Sequence, residues 1–87
     1  MFRITIAGVE IHRSARKHGV GDSDIQQAGI SYLIAYSLDD DRPARELRLG
    51  FDTTGRLLEI VVLLLDDGTE MAIHAMKARP QYFDLLP

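Results

Sequence analysis

Hydrophobic and polar positions follow two different periods along this chain. Residues 2–12, "FRITIAGVEIH", alternate and predict a strand, or two short strands meeting at Gly8. "SARKHG" (14–19) reads as one or two helical turns, with Ser14 a candidate cap and Gly19 a stop. "SDIQ" (23–26) has the spacing of a capping box, in which Ser23 accepts from the Gln26 N–H and Gln26 reaches back. Ile25 and Ala28 share a face of the helix that follows, and Gly29 limits it to about two turns.

From Tyr32 onward the period is two. "YLIAYSL" (32–38) is rich in strand formers, and "RELRLGF" (45–51) separates Leu47, Leu49 and Phe51 from Glu46, Arg48 and Gly50. "RLLEIVVLLL" (56–65) is apolar on nearly both sides, as a central strand covered on both faces should be. "TEMAIHAM" (69–76) alternates again. "DTTG" (52–55) supplies one hairpin turn and Asp67-Gly68 another, the latter suited to a two-residue loop. Such a loop sets Ile73 opposite Val62, Met71 opposite Leu64 and His74 opposite Val61, with Glu59 diagonal to His74. A two- or four-residue turn at 52–55 then puts Arg48 on the face of Glu59, Val61 and His74, away from Leu58, Ile60 and Met71. A slip of one residue reverses that assignment. Pro80 starts a short C-terminal helix carrying Tyr82, Phe83 and Leu86. The expected architecture is α+β: short N-terminal helices on a twisted, mainly antiparallel sheet of about four strands, closed by that helix. The 87 residues form a single domain, 1–87.

Composition narrows the setting more than the chemistry. Hydrophobic residues make up 46% and charged residues 26%, a globular balance. The absence of cysteine removes disulfides and thiolate metal sites. The longest apolar run, Ile60 to Leu65, is far short of the ~20 residues that span a bilayer. "MFRITIAG" lacks the features of a signal peptide, so a cytoplasmic protein without a membrane partner is expected. A net charge of −3 argues against indiscriminate nucleic-acid binding, although "HRSARKH" (12–18) and Arg42, Arg45 and Arg48 are locally basic.

Three segments carry a resemblance: "ARKHGV" (15–20), "GRLLEIVVL" (55–63) and "IHAMKARPQY" (73–82). In this order and spacing, over roughly residues 9–86, the chain resembles the BrnT-type branch of the RelE-like toxin superfamily. It is still more similar to a group of small actinobacterial toxin-like proteins ending in a "VIHAMxxRxxY" pattern. The resemblance implies a type II toxin: a metal-independent endoribonuclease that blocks translation by acting on mRNA or at the ribosome, neutralised by a cognate antitoxin protein. Carried over by position, it points to Lys17, His18 and Gly19, and to His74, Lys77, Arg79 and Tyr82. The chain departs from the BrnT pattern at His74 and Met76, where a serine and then basic residues stand. It departs from the closer group at Gln26-Gln27, where a histidine is common.

Metal-free RNA cleavage needs a base for the ribose hydroxyl, cations for the phosphorane and an acid for the leaving oxygen. Histidine is the side-chain type that titrates near neutrality, which makes His74 the candidate acid or base. Arg48 and Arg79 can grip phosphate with a fork, Lys77 as a point charge, and Tyr82 can stack on a base or donate a proton. Lys17 and His18 complete an RNA-binding set. Each residue also has a structural reading: His74 hydrogen-bonded to Glu59 or to a backbone carbonyl, Arg48 paired across strands with Glu59, Lys77 and Arg79 solvated at a strand end. His18 can cap the first helix, and Tyr82 can pack the last one. His12, His18 and His74 lack metal-ligand spacing, so neither metal nor cofactor is expected.

The alternative function is a catalytically inactive toxin-like fold that binds a protein or forms a homodimer. Its contact surface would be the Leu33/Ala35/Ser37 strand edge or the exposed aromatics. Direct DNA binding by residues 12–29 as a helix-turn-helix is weaker, because Gln26 and Gln27 stand there without Arg or Lys.

Overall fold

A computed structural model describes residues 8–39 and 41–87, so residues 2–7 of the first expected strand lie outside the described residues. The chain runs through β1 (Glu10–Ile11), a 3-10 turn (Arg13–Arg16), α1 (Asp22–Ile30), β2 (Tyr32–Ser37) and β3 (Ala44–Phe51). It continues through β4 (Leu57–Leu64) and β5 (Glu70–Lys77) to a C-terminal 3-10 helix (Pro80–Leu85). The strands form one sheet in the order β1-β5-β4-β3-β2, with β1 parallel to β5 and the other pairs antiparallel. The α+β expectation holds, with five strands in a mixed sheet among the described residues instead of about four. No helix among the described residues is long and apolar enough to cross a membrane.

The N-terminal caps differ from the sequence reading. His12 caps the first turn, its ring accepting from the Ser14 N–H, while the Ser14 hydroxyl donates to the Ile73 carbonyl at 2.6 Å. Gly19, with φ of 76°, ends that turn as expected. α1 starts at Gly21 without a side-chain cap, and its first turn carries Asp22 and Asp24, which suit the positive end of the helix dipole. The capping box does not form. Gln26 turns to Val9 instead, accepting from its N–H at 3.0 Å and donating to its carbonyl. A 3-10 turn followed by α1 is no helix-turn-helix, which removes the DNA-binding reading.

Both hairpin turns have three residues. Asp52 and Arg56 close one, with Gly55 at φ 86°, and Leu65 and Thr69 close the other, with Gly68 at φ 87°. A left-handed glycine at the third loop position is the usual three-residue hairpin form. Each turn shifts its register by one residue from the two-residue expectation. Between β4 and β5 the shift is undone partway by a bulge: Leu63 and Val62 face Met71 and Ala72, whereas Val61 faces His74. Ile73 is the inserted residue. Ala72 therefore replaces Ile73 opposite Val62, and Met71 leaves the core face, but His74 lies opposite Val61 as expected. Between β3 and β4 nothing restores the shift, and Arg48 faces Ile60.

The main core lies between the sheet and α1: Val9, Ala15, Ile25, Ala28, Leu58, Ile60, Val62, Ala72 and Ala75. α1 crosses β3 so closely that a Cβ at Gly50 would run into the Ala28 backbone, so Gly50 is required there by contact. The opposite face buries Leu47 and Leu49 and is joined to the C-terminal segment by the Tyr36 hydroxyl, which donates to the Leu85 carbonyl at 3.0 Å.

Candidate functional site

One charged residue interrupts the apolar run of β4, and it organises this face. Glu59 points away from α1 and is 1% exposed, yet every contact that a buried carboxylate needs is present. It accepts from the Arg79 backbone N–H at 3.0 Å, from Arg79 Nε and Nη2 at 2.9 Å each, and contacts His74 Nε2 at 3.0 Å. β4 supplies the acid, β5 the imidazole, and the extended residue before Pro80 brings the guanidinium back over both. Burial works against the Glu59 charge, but the hydrogen bonds from Arg79 and His74 outweigh it and hold the carboxyl below its ordinary range. The same hydrogen bond keeps the Arg79 guanidinium more firmly protonated than usual.

Two further groups complete the cluster. The Tyr82 hydroxyl lies 3.4 Å from Arg79 Nη2, and the guanidinium stands 5.5 Å from the Tyr82 ring centre. The His18 ring meets His74 edge-on, with centroids 5.6 Å apart. Thus three of the four residues expected to be catalytic, His74, Arg79 and Tyr82, come together around Glu59, and His18 of the expected RNA-binding set joins them through His74.

The remaining predicted residues do not join them. Arg48 is on the α1 face, opposite the side of His74, and is 3% exposed. Its fork is bound to Glu70 at 2.9 and 3.0 Å, its Nε to Glu46 at 2.8 Å and Nη1 to the Gly29 carbonyl at 2.9 Å. It also stacks 4.8 Å from the Tyr32 ring centre. Burial opposes the Arg48 charge, but the pairs with Glu70 and Glu46 raise its pKa above the ordinary value. The expected phosphate grip by Arg48 beside His74 is overturned: the three-residue turn at 53–55 reversed the strand's parity, and the guanidinium became an internal tie between β3, β5 and α1. Its expected pairing with Glu59 fails for the same reason. Lys77 faces Leu58 across the ladder, on the α1 side, and Lys17 is exposed beside the first turn. Neither lysine has an ion-pair partner among the described residues.

Glu46 and Glu70, which hold Arg48, escaped the sequence reading because their role depends on that parity. Glu59 left a signal: a lone acid inside "RLLEIVVLLL" must find donors. No group of three or more His, Cys, Asp or Glu among the described residues could hold a metal ion. Two shallow surface hollows of about 370 and 270 Å³ lie elsewhere, beside Gln27 and Ile30 and between Asp39 and Asp66. Comparison with protein-family models, with curated proteins and with solved structures gives no match.

Proposed function

We propose that this chain is a toxin-like α+β domain of the BrnT/RelE type that works by binding protein and has lost the ribonuclease chemistry. One observation carries the reading: both guanidiniums assigned to phosphate are held by carboxylates of the fold, Arg48 by Glu46 and Glu70, Arg79 by Glu59. A phosphorane needs cations whose charge is not already matched. The exposed apolar residues support the same reading. Among the described residues, five of the seven large exposed ones, Ile30, Tyr32, Leu33, Tyr36 and Leu38, fall along 30–38, in and beside the edge strand β2, which fits a contact surface better than chance scatter. A type II antitoxin is the partner that the family resemblance suggests.

A second reading keeps the endoribonuclease, acting on mRNA or at the ribosome. The pairing of His18 with His74 favours it, since two adjacent imidazoles can serve as base and acid on one phosphodiester. Purified protein incubated with RNA, with and without ribosomes, separates the two. The binding reading expects intact RNA, and association that survives His74→Ala. RNA cleavage that disappears in His74→Ala overturns it in favour of the enzyme.

A further inference from the structure

The sheet face turned away from α1 carries two leucines that need a cover. Directly opposite residues share a face, so Ile34, Leu49 and Glu59 form one row across β2, β3 and β4, and Tyr36, Leu47 and Val61 the next. Leu49 and Leu47 are 0% and 2% exposed. α1 packs on the opposite face, and the first turn lies beside β5. Among the described residues, the chain after Arg79 is what crosses these rows. It leaves from above Glu59 and reaches Tyr36 through the Leu85 carbonyl.

Its two attachments differ in strength. At Arg79 the backbone N–H, Nε and Nη2 all donate to Glu59, and Tyr82 stays beside the guanidinium. Pulling that end away would strip a buried carboxylate of its donors. At the far end a single neutral hydrogen bond, from the Tyr36 hydroxyl to the Leu85 carbonyl at 3.0 Å, holds the segment at the exposed surface. Between the two, no residue from Pro80 to Leu85 is buried: Leu85 is half-buried, as is Leu86 beyond it, and Phe83 is 48% exposed. Segments that bury so little apolar surface open locally, well below the free energy of global unfolding.

We propose that residues 83–87 are a lid, anchored through Arg79 and clasped by Tyr36, that opens over Leu47 and Leu49 while the rest of the fold stays intact. The core between α1 and the sheet takes no side chain from 83–87, so the lid can leave without disturbing it. The inference goes beyond the protein-binding reading and does not depend on it. The two meet at one group. Tyr36 also belongs to the exposed apolar run along 30–38, so contact there and closure of the lid draw on the same hydroxyl.

The chain has no cysteine, so one introduced thiol in the full chain reports on one position. Leu47→Cys probes the face under the lid and Val62→Cys the face under α1, with circular dichroism confirming that each variant is folded. A small thiol reagent should modify Leu47→Cys about tenfold faster or more than Val62→Cys. The Leu47→Cys rate should hardly change with urea below the unfolding transition, whereas that of Val62→Cys should follow global unfolding. Tyr36→Phe should speed modification of Leu47→Cys by about fivefold without adding urea dependence. Equal rates with equal urea dependence at the two positions overturn the proposal, as does a Leu47→Cys rate unmoved by Tyr36→Phe. Should Leu47→Cys fail to fold, amide exchange at Leu86 in the cysteine-free chain decides. Exchange faster than at Ile60, and about fivefold faster again with Tyr36→Phe, supports the lid. Protection equal to that of Ile60 overturns it. No partner enters these measurements, so a lid that fails leaves the protein-binding reading standing.

Discussion

Arg79 closes a two-pronged ion pair on Glu59, Nε to Oε1 and Nη2 to Oε2, both at 2.9 Å, beneath a face that leaves the acid 1% exposed. Breaking such a buried pair from one side costs more than the pair itself contributes, because the remaining partners lose their match. Glu59→Ala should lower the unfolding free energy by about 3 kcal/mol, read from urea denaturation. Arg79→Ala should move the midpoint in the same direction, since it leaves the carboxylate with His74 alone. An unchanged midpoint in Glu59→Ala would mean that the pair does not hold the C-terminal segment to the sheet.

Acid should weaken this fold through the same group. The folded-state pKa of Glu59 is lowered, as are those of Glu70, beside Arg48, and of Asp52. For Asp52, burial opposes the charge, and hydrogen bonds from the Arg56 and Thr54 groups overcome it. A lowered carboxyl pKa adds stability that is whole above the unfolded-state value, about 3.9–4.3, and fades as pH falls through the folded value. Denaturation midpoints should therefore hold near neutrality and drop below about pH 4. Glu59→Gln should start lower at neutral pH and lose less on acidification; parallel curves for parent and variant would contradict this.

Arg48 should behave as a structural residue. Lysine cannot reproduce its fork to Glu70 together with the bonds to Glu46 and Gly29. Arg48→Lys should cost on the order of 2 kcal/mol, with no change in RNA affinity beyond what unfolding explains. A filter-binding defect in a fully folded Arg48→Lys protein would return this residue to a nucleic-acid role.

Two glycines should respond unequally to alanine. Gly55 has open space around its missing side chain but φ of 86°, so Gly55→Ala should cost about 1 kcal/mol. Gly50 has ordinary strand geometry, but the Ala28 backbone occupies the place of its Cβ. Gly50→Ala should push α1 off β3 and cost up to about 3 kcal/mol. Thermal unfolding of the two variants gives the ranking directly.

Most of the element order could be read from the chain because alternation and turn residues are local signals. β2, β3, β4, β5 and the helix after Pro80 lie within a residue or so of their expected places. What failed was counting across turns. "DTTG" and "DDG" are equally good sequences for two- and three-residue loops, and one residue decides which face a strand presents. In β5 the inserted Ile73 offsets the extra loop residue, so His74 lies opposite Val61, where a two-residue loop without a bulge would also put it. In β3 nothing compensates, and Arg48 lies on the face opposite to the one that a two- or four-residue turn predicts. The Gln26 bonds to Val9 were equally invisible, because a capping box and a long-range amide clamp use the same residue.

The bulge in β5 also decides where the beginning of the chain is fastened. The β1 pairing ends as His12 donates to the Ala72 carbonyl, and the next carbonyl, that of the inserted Ile73, receives the Ser14 hydroxyl. Without the surplus residue this acceptor would sit in another position along the ladder, and the turn leading to His18 would dock elsewhere. The meeting of the two imidazoles thus depends on the surplus residue in that strand: deleting Ile73 would move the Ser14 acceptor by roughly 3.3 Å along β5 and draw His18 away from His74.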